Sequence, residues 1–387
     1  MTNMNISTLF KMAVYLTIVA TASSCNGNRG PSNQWIASSS IVLQDQGGFS
    51  VGGRQVKHDG TFDMAKCYEP DGQTAYGDHA YVLYQIPAKI REYPLIFLHG
   101  GGMTKRCWST TPDGRDGFQN IFLRRGFSVY LVDQPRIGES GSSTEPTDAS
   151  AFARVPNYDD RRRFTLFRLG EWPEFYPGVQ FPKDSASLDQ FLRQGAMTAG
   201  EEDRDVTADA MAALLDKIGP AILVTHSANG TVGWRAALRT NNLKAIVSYE
   251  PGGGKFGPFL FPKGEVPEAI PTSWGPIEPM EIAPEEFAKL TKMPIVIYYG
   301  DNIATEPVAD AGRDQWRGEL QMARLFAKTV NKHGGNCTVI HLPEIGINGN
   351  THFPFLDLNN VELANLMEKF LQEKGLTEFS ERNKKKQ

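Results

Sequence analysis

Seven short runs of β-branched and aromatic residues recur along this chain, at 81–86, 95–98, 128–132, 221–224, 245–249, 294–299 and 338–342. Most are apolar at nearly every position instead of every second one. A strand of that kind needs cover on both faces, the condition of a buried parallel sheet, and parallel neighbours need helical crossovers. Stripes of helical period lie between the runs. Met211, Leu214, Leu215 and Ile218 keep the spacing of one buried face before Gly219-Pro220, and Leu363, Leu366, Met367 and Phe370 repeat it after Asn360, a candidate N-cap. The expected class is α/β, a mostly parallel central sheet flanked by helices.

With 387 residues and 40% hydrophobic content the chain can bury one large core, and a single domain is expected. The Ser/Gly-rich N-terminal stretch adds no strand to this plan. Two further stretches, about 143–200 and 252–285, are rich in Pro, Gly and aromatics and too long for ordinary connections, so they are expected to form cap insertions. The Lys-rich end from Ser380 onward reads as a solvated tail.

Lys11, the apolar 12–20 stretch and the small residues 21–24 describe an export leader over 1–24, leaving 25–387 as the mature domain. Small residues directly ahead of Cys25 also fit a bacterial lipoprotein box, giving two destinations: an anchored or periplasmic lipoprotein through a lipidated Cys25, or plain secretion. Cys67, Cys107 and Cys337 then allow at most one internal disulfide, with pairing of Cys67 and Cys107 left open. No C-x-x-C or H-E-x-x-H spacing occurs, so neither metal nor cofactor is expected. The 40 Lys+Arg against 44 Asp+Glu give a net charge of -4, which offers no footprint for nucleic acid. Oligomeric state is not encoded in any pattern here.

The strongest chemical signal is Thr225-His226-Ser227-Ala228-Asn229-Gly230, where a buried strand runs straight into a serine and then a helix. Such a turn exposes the hydroxyl above the sheet edge and needs small neighbours, usually as G-x-S-x-G. Thr225 and Asn229 replace the two glycines; Asn tolerates φ > 0, and Gly230 follows. An earlier strand ends in His99-Gly100-Gly101-Gly102, whose backbone N–H groups, with that of Ala228, could receive a developing oxyanion. His99 reads as an orienting residue for that loop, and His226 as a residue pointing away from the serine. Among the later histidines, His333 lies in a polar turn and His341 in a strand. His352 lies in the loop after the last strand, where an imidazole can reach the serine and shuttle its proton. Two acids compete to orient it: Asp301 after 294–299, and Glu250 after 245–249. Residue type alone leaves them open.

In Leu98-His99-Gly100, Trp108 with Thr110-Thr111-Pro112-Asp113-Gly114-Arg115, Arg124-Arg125-Gly126-Phe127, Val132-Asp133-Gln134-Pro135, Thr225-His226-Ser227, Tyr249-Glu250-Pro251, and Thr351-His352-Phe353 before Leu358-Asn359-Asn360, the chain resembles secreted bacterial esterases of the α/β-hydrolase superfamily. Their triad acid is a glutamate after the sixth strand. The likeness runs from about Tyr81 to Leu371. It implies the α/β-hydrolase fold with caps, and hydrolysis of a small-molecule carboxylic ester through an acyl-enzyme with Ser227 as nucleophile, His352 as base and Glu250 as acid. Some relatives carry two adjacent cysteines where this chain has Gly101 and Gly102, so a disulfide-stiffened loop is not carried over. The same machinery would serve a lactone, a sugar-linked ester or a peptide bond, and a ligand-binding module that kept the fold without turnover is the reading from another class. Phe164, Phe167, Trp172, Phe175, Tyr176, Phe256, Phe259 and Trp274 in the caps could line an apolar acyl or aryl pocket or simply pack the caps down.

Overall fold

The computed structural model describes residues 40–145, 160–196, 198–252 and 259–381. The expected leader 1–24, Cys25, residues 146–159 and 253–258 of the two cap stretches, and the end of the Lys-rich tail lie outside the described residues. In chain order the strands are β1 (Leu43–Lys57), β2 (Thr74–Pro87), β3 (Leu95–Leu98), β4 (Val129–Asp133), β5 (Gly170–Glu171), β6 (Glu174–Phe175), β7 (Ala221–His226), β8 (Leu243–Tyr249), β9 (Leu260–Pro262), β10 (Met280–Ile282), β11 (Pro294–Tyr299) and β12 (Asn336–His341). Eight form one sheet in the order β1-β2-β4-β3-β7-β8-β11-β12. The six from β4 to β12 are parallel neighbours, and β2 runs antiparallel to both β1 and β4.

Continuous apolarity follows from cover on both sides. Side chains alternate across a strand, so Ile96 and Leu98 of β3 and Leu223 of β7 enter one core with Met211, Leu214, Trp234 and Phe326. Leu95, Phe97 and Val224 enter the other with Trp108, Phe122, Leu363 and Met367. Helices Arg204–Ile218, Gly230–Ala237 and Ala311–Lys332 cover the first face, and Phe118–Arg124 and Asn360–Glu373 the second. Asp203 caps the first of these by accepting from the amides of Asp205 and Val206, and Gly219 at φ +87° ends it.

Two readings of the sequence change, and the open question of cysteine pairing is answered. The Gly-containing stretch before residue 81 does hold a strand: β1 pairs with all of β2, and the rings of Tyr84 and Tyr81 lie against Gly47 and Gly48, supplying apolar cover that glycine lacks. The last helix starts at Asn360 and not after it; the Asn360 side chain instead donates from Nδ2 to the Asp116 carbonyl while its Oδ1 accepts from Arg115. Cys67, Cys107 and Cys337 are all free thiols. In the cap stretches, helices Asp160–Leu166 and Ser185–Leu192, the β5–β6 hairpin and the β9–β10 pair add nothing to the large sheet.

Candidate active site

The parallel strands deliver His99, Ser227, Glu250 and Gly300 to one edge of the sheet, each directly after the last residue of its strand. Ligands of open α/β sheets gather at this carboxyl edge because the loops there are free to diverge. Ser227 sits at φ +53°, a strained backbone for a residue with a Cβ. Close packing holds it there. A Cβ on Gly100 would lie 2.8 Å from Ser227 Cβ and 2.7 Å from His226 Nδ1, and one on Gly230 would lie 2.3 Å from Pro251 Cβ. The Gly252 amide also donates to the Ser227 carbonyl at 3.2 Å.

The structure corrects the expectation for Asn229. Its φ is −90°, so the left-handed conformation belongs to Ser227 and the close approach to Gly230. What Asn229 contributes is its side chain: the amide donates to the His99 carbonyl at 2.5 Å and to Gln134 Oε1, and its oxygen accepts from Arg204 at 3.0 Å. The elbow is thereby bonded to the glycine loop. Thr225, the other departure from G-x-S-x-G, donates to Ser248 Oγ at 2.9 Å, which satisfies a hydroxyl that burial would otherwise leave unpaired.

His352 is brought to the serine: its Nε2 lies 2.9 Å from Ser227 Oγ, and its Nδ1 lies 3.1 Å from Glu250 Oε2. Both Glu250 and His352 are fully buried. Burial alone would push the Glu250 carboxyl up, but the Arg168 guanidinium and the hydrogen bond and charge of His352 hold it below the usual range. Burial pulls the His352 imidazole down against the opposing pull of Glu250, which favours the neutral ring able to accept a proton. Asp301 is not brought to the imidazole. Its carboxylate accepts from the Asn302 and Gly349 amides, both at 2.6 Å, and so ties down the loop that carries His352.

His99 is buried, donates from Nδ1 to the Gly100 carbonyl at 2.7 Å and accepts at Nε2 from the Gln134 amide at 3.3 Å. Those two bonds define a neutral tautomer, in keeping with burial lowering its pKa. The turn that follows, closed by the Met103 amide on the Gly100 carbonyl at 3.3 Å, puts Gly102 at φ +65°. Gly101, Ser227 and Ala228 share the wall of a cavity of about 520 Å³ with Arg162, Leu166, Phe167, Trp274, Ile277, Gln315 and Trp316. Phe167 stacks on the His352 ring at 5.2 Å and Trp316 covers it at 4.2 Å. His226 turns away from the serine and donates from Nε2 to the His352 carbonyl at 2.8 Å. Among the described residues no group of three or more His, Cys, Asp or Glu could hold a metal ion.

Three polar residues to which the sequence assigned no role hold the histidine loop and the acid behind it. Arg168, from the stretch between the two cap helices, bonds Glu250 Oε1 at 2.7 Å. Asp357, buried, accepts from the Thr351 amide at 2.8 Å, from Thr351 Oγ1 at 2.9 Å and from Asn350 Nδ2 at 3.0 Å. Burial pushes its carboxyl up to about 7 despite those donors. Arg115, fixed by Asp113 at 2.6 Å, reaches the carbonyls of Asp357 and Leu358, both at 3.1 Å, and the Asn360 oxygen at 2.8 Å. The T-T-P-D-G-R run thus has a physical role, as a clamp on the end of the loop.

Comparison with known proteins agrees with this architecture. The Alpha/beta hydrolase family matches residues 95–330. Over 318 residues, 76% of this chain and 85% of the relative, the sequence is 29% identical to a protein described as a probable secreted lipase phiG from Fungal sp. (strain ATCC 74256). The fold is similar to that of a solved structure described as a novel bacterial esterase, with a TM-score of 0.68 and 27% identity, covering 87% of this chain and 98% of that one. With the family's match spanning β3 to the Ala311–Lys332 helix and a serine elbow at the carboxyl edge of the sheet, the chain belongs to the alpha/beta hydrolase family.

Proposed function

We propose that this protein is a serine esterase acting on small carboxylic esters, with Ser227 as nucleophile, His352 as base and Glu250 as the acid that orients it. The observation that carries the reading is the unbroken line of two hydrogen bonds, Ser227 Oγ to His352 Nε2 at 2.9 Å and His352 Nδ1 to Glu250 Oε2 at 3.1 Å. His352 takes the Ser227 proton as Oγ attacks the ester carbonyl carbon, and the oxygen that becomes negative is received by backbone N–H groups of Gly101, Gly102 and Ala228. The imidazolium, balanced by Glu250, returns its proton to the departing alcohol. Water, deprotonated by His352, then cleaves the acyl-serine, releasing the acid and restoring the hydroxyl.

Similarity to a protein described as a secreted lipase and to one described as a bacterial esterase supports ester bonds as the target. The apolar side chains of Leu166, Phe167, Trp274, Ile277 and Trp316 in the cavity favour an apolar acyl or aryl group. The same secreted relative supports export after removal of 1–24. Attachment through Cys25 predicts a lipid-bearing N-terminus in the membrane fraction, and a protein free in the medium with an unmodified N-terminus would refute it.

The decisive variant is Ser227→Ala. Turnover of p-nitrophenyl butyrate is expected to fall by about 10⁴-fold or more, with loss of fluorophosphonate labelling. Turnover equal to the parent's in folded protein would refute the assignment.

A further inference from the structure

Arg168 lies between the Asp160–Leu166 helix and the β5–β6 hairpin, yet it is fully buried against the site. It stands at φ +59°. Nη2 bonds Glu250 Oε1 at 2.7 Å, Nε donates to the Asp301 carbonyl at 2.8 Å, and Cζ lies 5.4 Å from the Trp316 ring that covers His352. Its neighbours in the chain reinforce this: the Phe167 carbonyl accepts from the His352 amide at 3.1 Å, and the Leu166 carbonyl from Trp316 Nε1 at 3.2 Å. Its Nη1 is buried and has no acceptor among the described residues. A charged fork buried with one donor unmet is a poor way to gain stability, since an apolar side chain of similar volume would pack as well at lower desolvation cost. What the guanidinium supplies that a hydrocarbon does not is a fixed ion partner on the oxygen of Glu250 that faces away from the imidazole.

We propose that Arg168 is a positioning residue for the hydrolytic triad, clamping the Glu250 carboxylate so that its other oxygen faces His352 and tying the seating of the 160–196 segment to the readiness of the active site. The idea rests on the Ser227–His352–Glu250 reading above. The titratable and charged groups that face Glu250 and His352 are Arg168 from the cap stretch, His226 at the end of β7, Tyr299 of β11 and Asp357 of the histidine loop, and the uncharged Gly300 amide shares Glu250 Oε1 with Arg168. Of these only Arg168 carries a permanent positive charge. Without it, burial pushes the Glu250 carboxyl up, and the imidazole loses a neighbour that lowers its pKa. Either change moves the acid limb of activity to higher pH.

The test is kcat and KM for p-nitrophenyl butyrate across the pH range in the parent, Arg168→Met, Arg168→Lys and Ser227→Ala, with melting temperatures for each. Arg168→Met is expected to lose about 100-fold in kcat with KM little changed and its acid limb shifted upward. Arg168→Lys keeps the charge but cannot bond both Glu250 and the Asp301 carbonyl, and is expected to fall between the two with a limb near the parent's. Folded Arg168→Met with the parent's kcat and acid limb overturns the proposal, whatever its melting temperature. If that variant does not fold, a kcat in Arg168→Lys equal to the parent's does the same. Turnover surviving in Ser227→Ala would sink the triad reading itself, whereas an inactive Ser227→Ala beside a parent-like Arg168→Met sinks only the role of Arg168.

Discussion

Ser227 and His352 stand within one hydrogen bond of each other, at 2.9 Å, but the chain fixes them by different means. The serine is held by its backbone: a strand end, a helix start, two glycines at 100 and 230 that let neighbouring segments close in, and the Gly252 amide bonded to its carbonyl. The histidine has no helix or strand around it. It hangs on polar side chains drawn from across the chain, with Asp357 and Arg115 below it, Asp301 at Gly349, His226 at its carbonyl and Arg168 behind its acid. Small volume decides the first half and hydrogen-bond pairing the second. The two halves should therefore fail in different ways when damaged.

The sharpest way to break the serine side is volume. In Gly100→Ala the new methyl would fall 2.8 Å from Ser227 Cβ and 2.7 Å from His226 Nδ1, closer than non-bonded atoms sit, so the glycine loop must retreat from the elbow. On the proposed mechanism, displacing its N–H groups amounts to losing an oxyanion donor, and kcat/KM is expected to drop by about 10²- to 10³-fold. The His352–Glu250 pair does not touch Gly100, so the acid limb should stay where the parent has it. An acid limb that moves with the rate would mean the two halves are not separately built.

The histidine side should break through pairing instead. Asp357→Ala leaves the Thr351 amide, Thr351 Oγ1 and Asn350 Nδ2 without their shared acceptor, and a loss of about 2–3 kcal/mol in unfolding free energy is expected by chemical denaturation. The pH dependence adds a signature. The folded carboxyl titrates near 7, above the value of about 3.9 of an unfolded Asp, so between those values the folded state holds the extra proton and this group's contribution to stability falls as pH rises. The alanine variant should lack that slope. A variant as stable as the parent, with the same slope, would remove Asp357 from the account.

This division also explains what could be read from sequence. The seven strand runs and the serine elbow are local patterns, because a buried strand and a tight turn both write themselves into adjacent residues. β1 escaped because its inward cover comes from the Tyr81 and Tyr84 rings of β2, which no pattern within 43–57 records. The choice between Glu250 and Asp301 was not decidable on residue type: both follow buried strands, and what separates them is that the Asp301 carboxylate is spent on two backbone amides. Arg168 lies 82 positions from its carboxylate and Arg115 lies 245 from Asn360. Pairings of that reach leave no period or spacing to find.

The smallest expected effect probes the seam between the halves of the serine side. Asn229→Gly would restore the last glycine of G-x-S-x-G, and by pattern alone it should be harmless or helpful. The geometry says otherwise. At φ −90° the position gains nothing from glycine's freedom, while the substitution removes the bonds from the Asn229 amide to the His99 carbonyl and Gln134 and leaves Arg204 without its 3.0 Å partner. A glycine there also adds freedom to the unfolded chain. The variant is expected to be less stable by about 1–2 kcal/mol, with a modest fall in kcat as the glycine loop loosens from the elbow. A melting temperature at or above the parent's would show that sterics alone join the loop to the serine, and that the amide bridge contributes nothing to holding the site together.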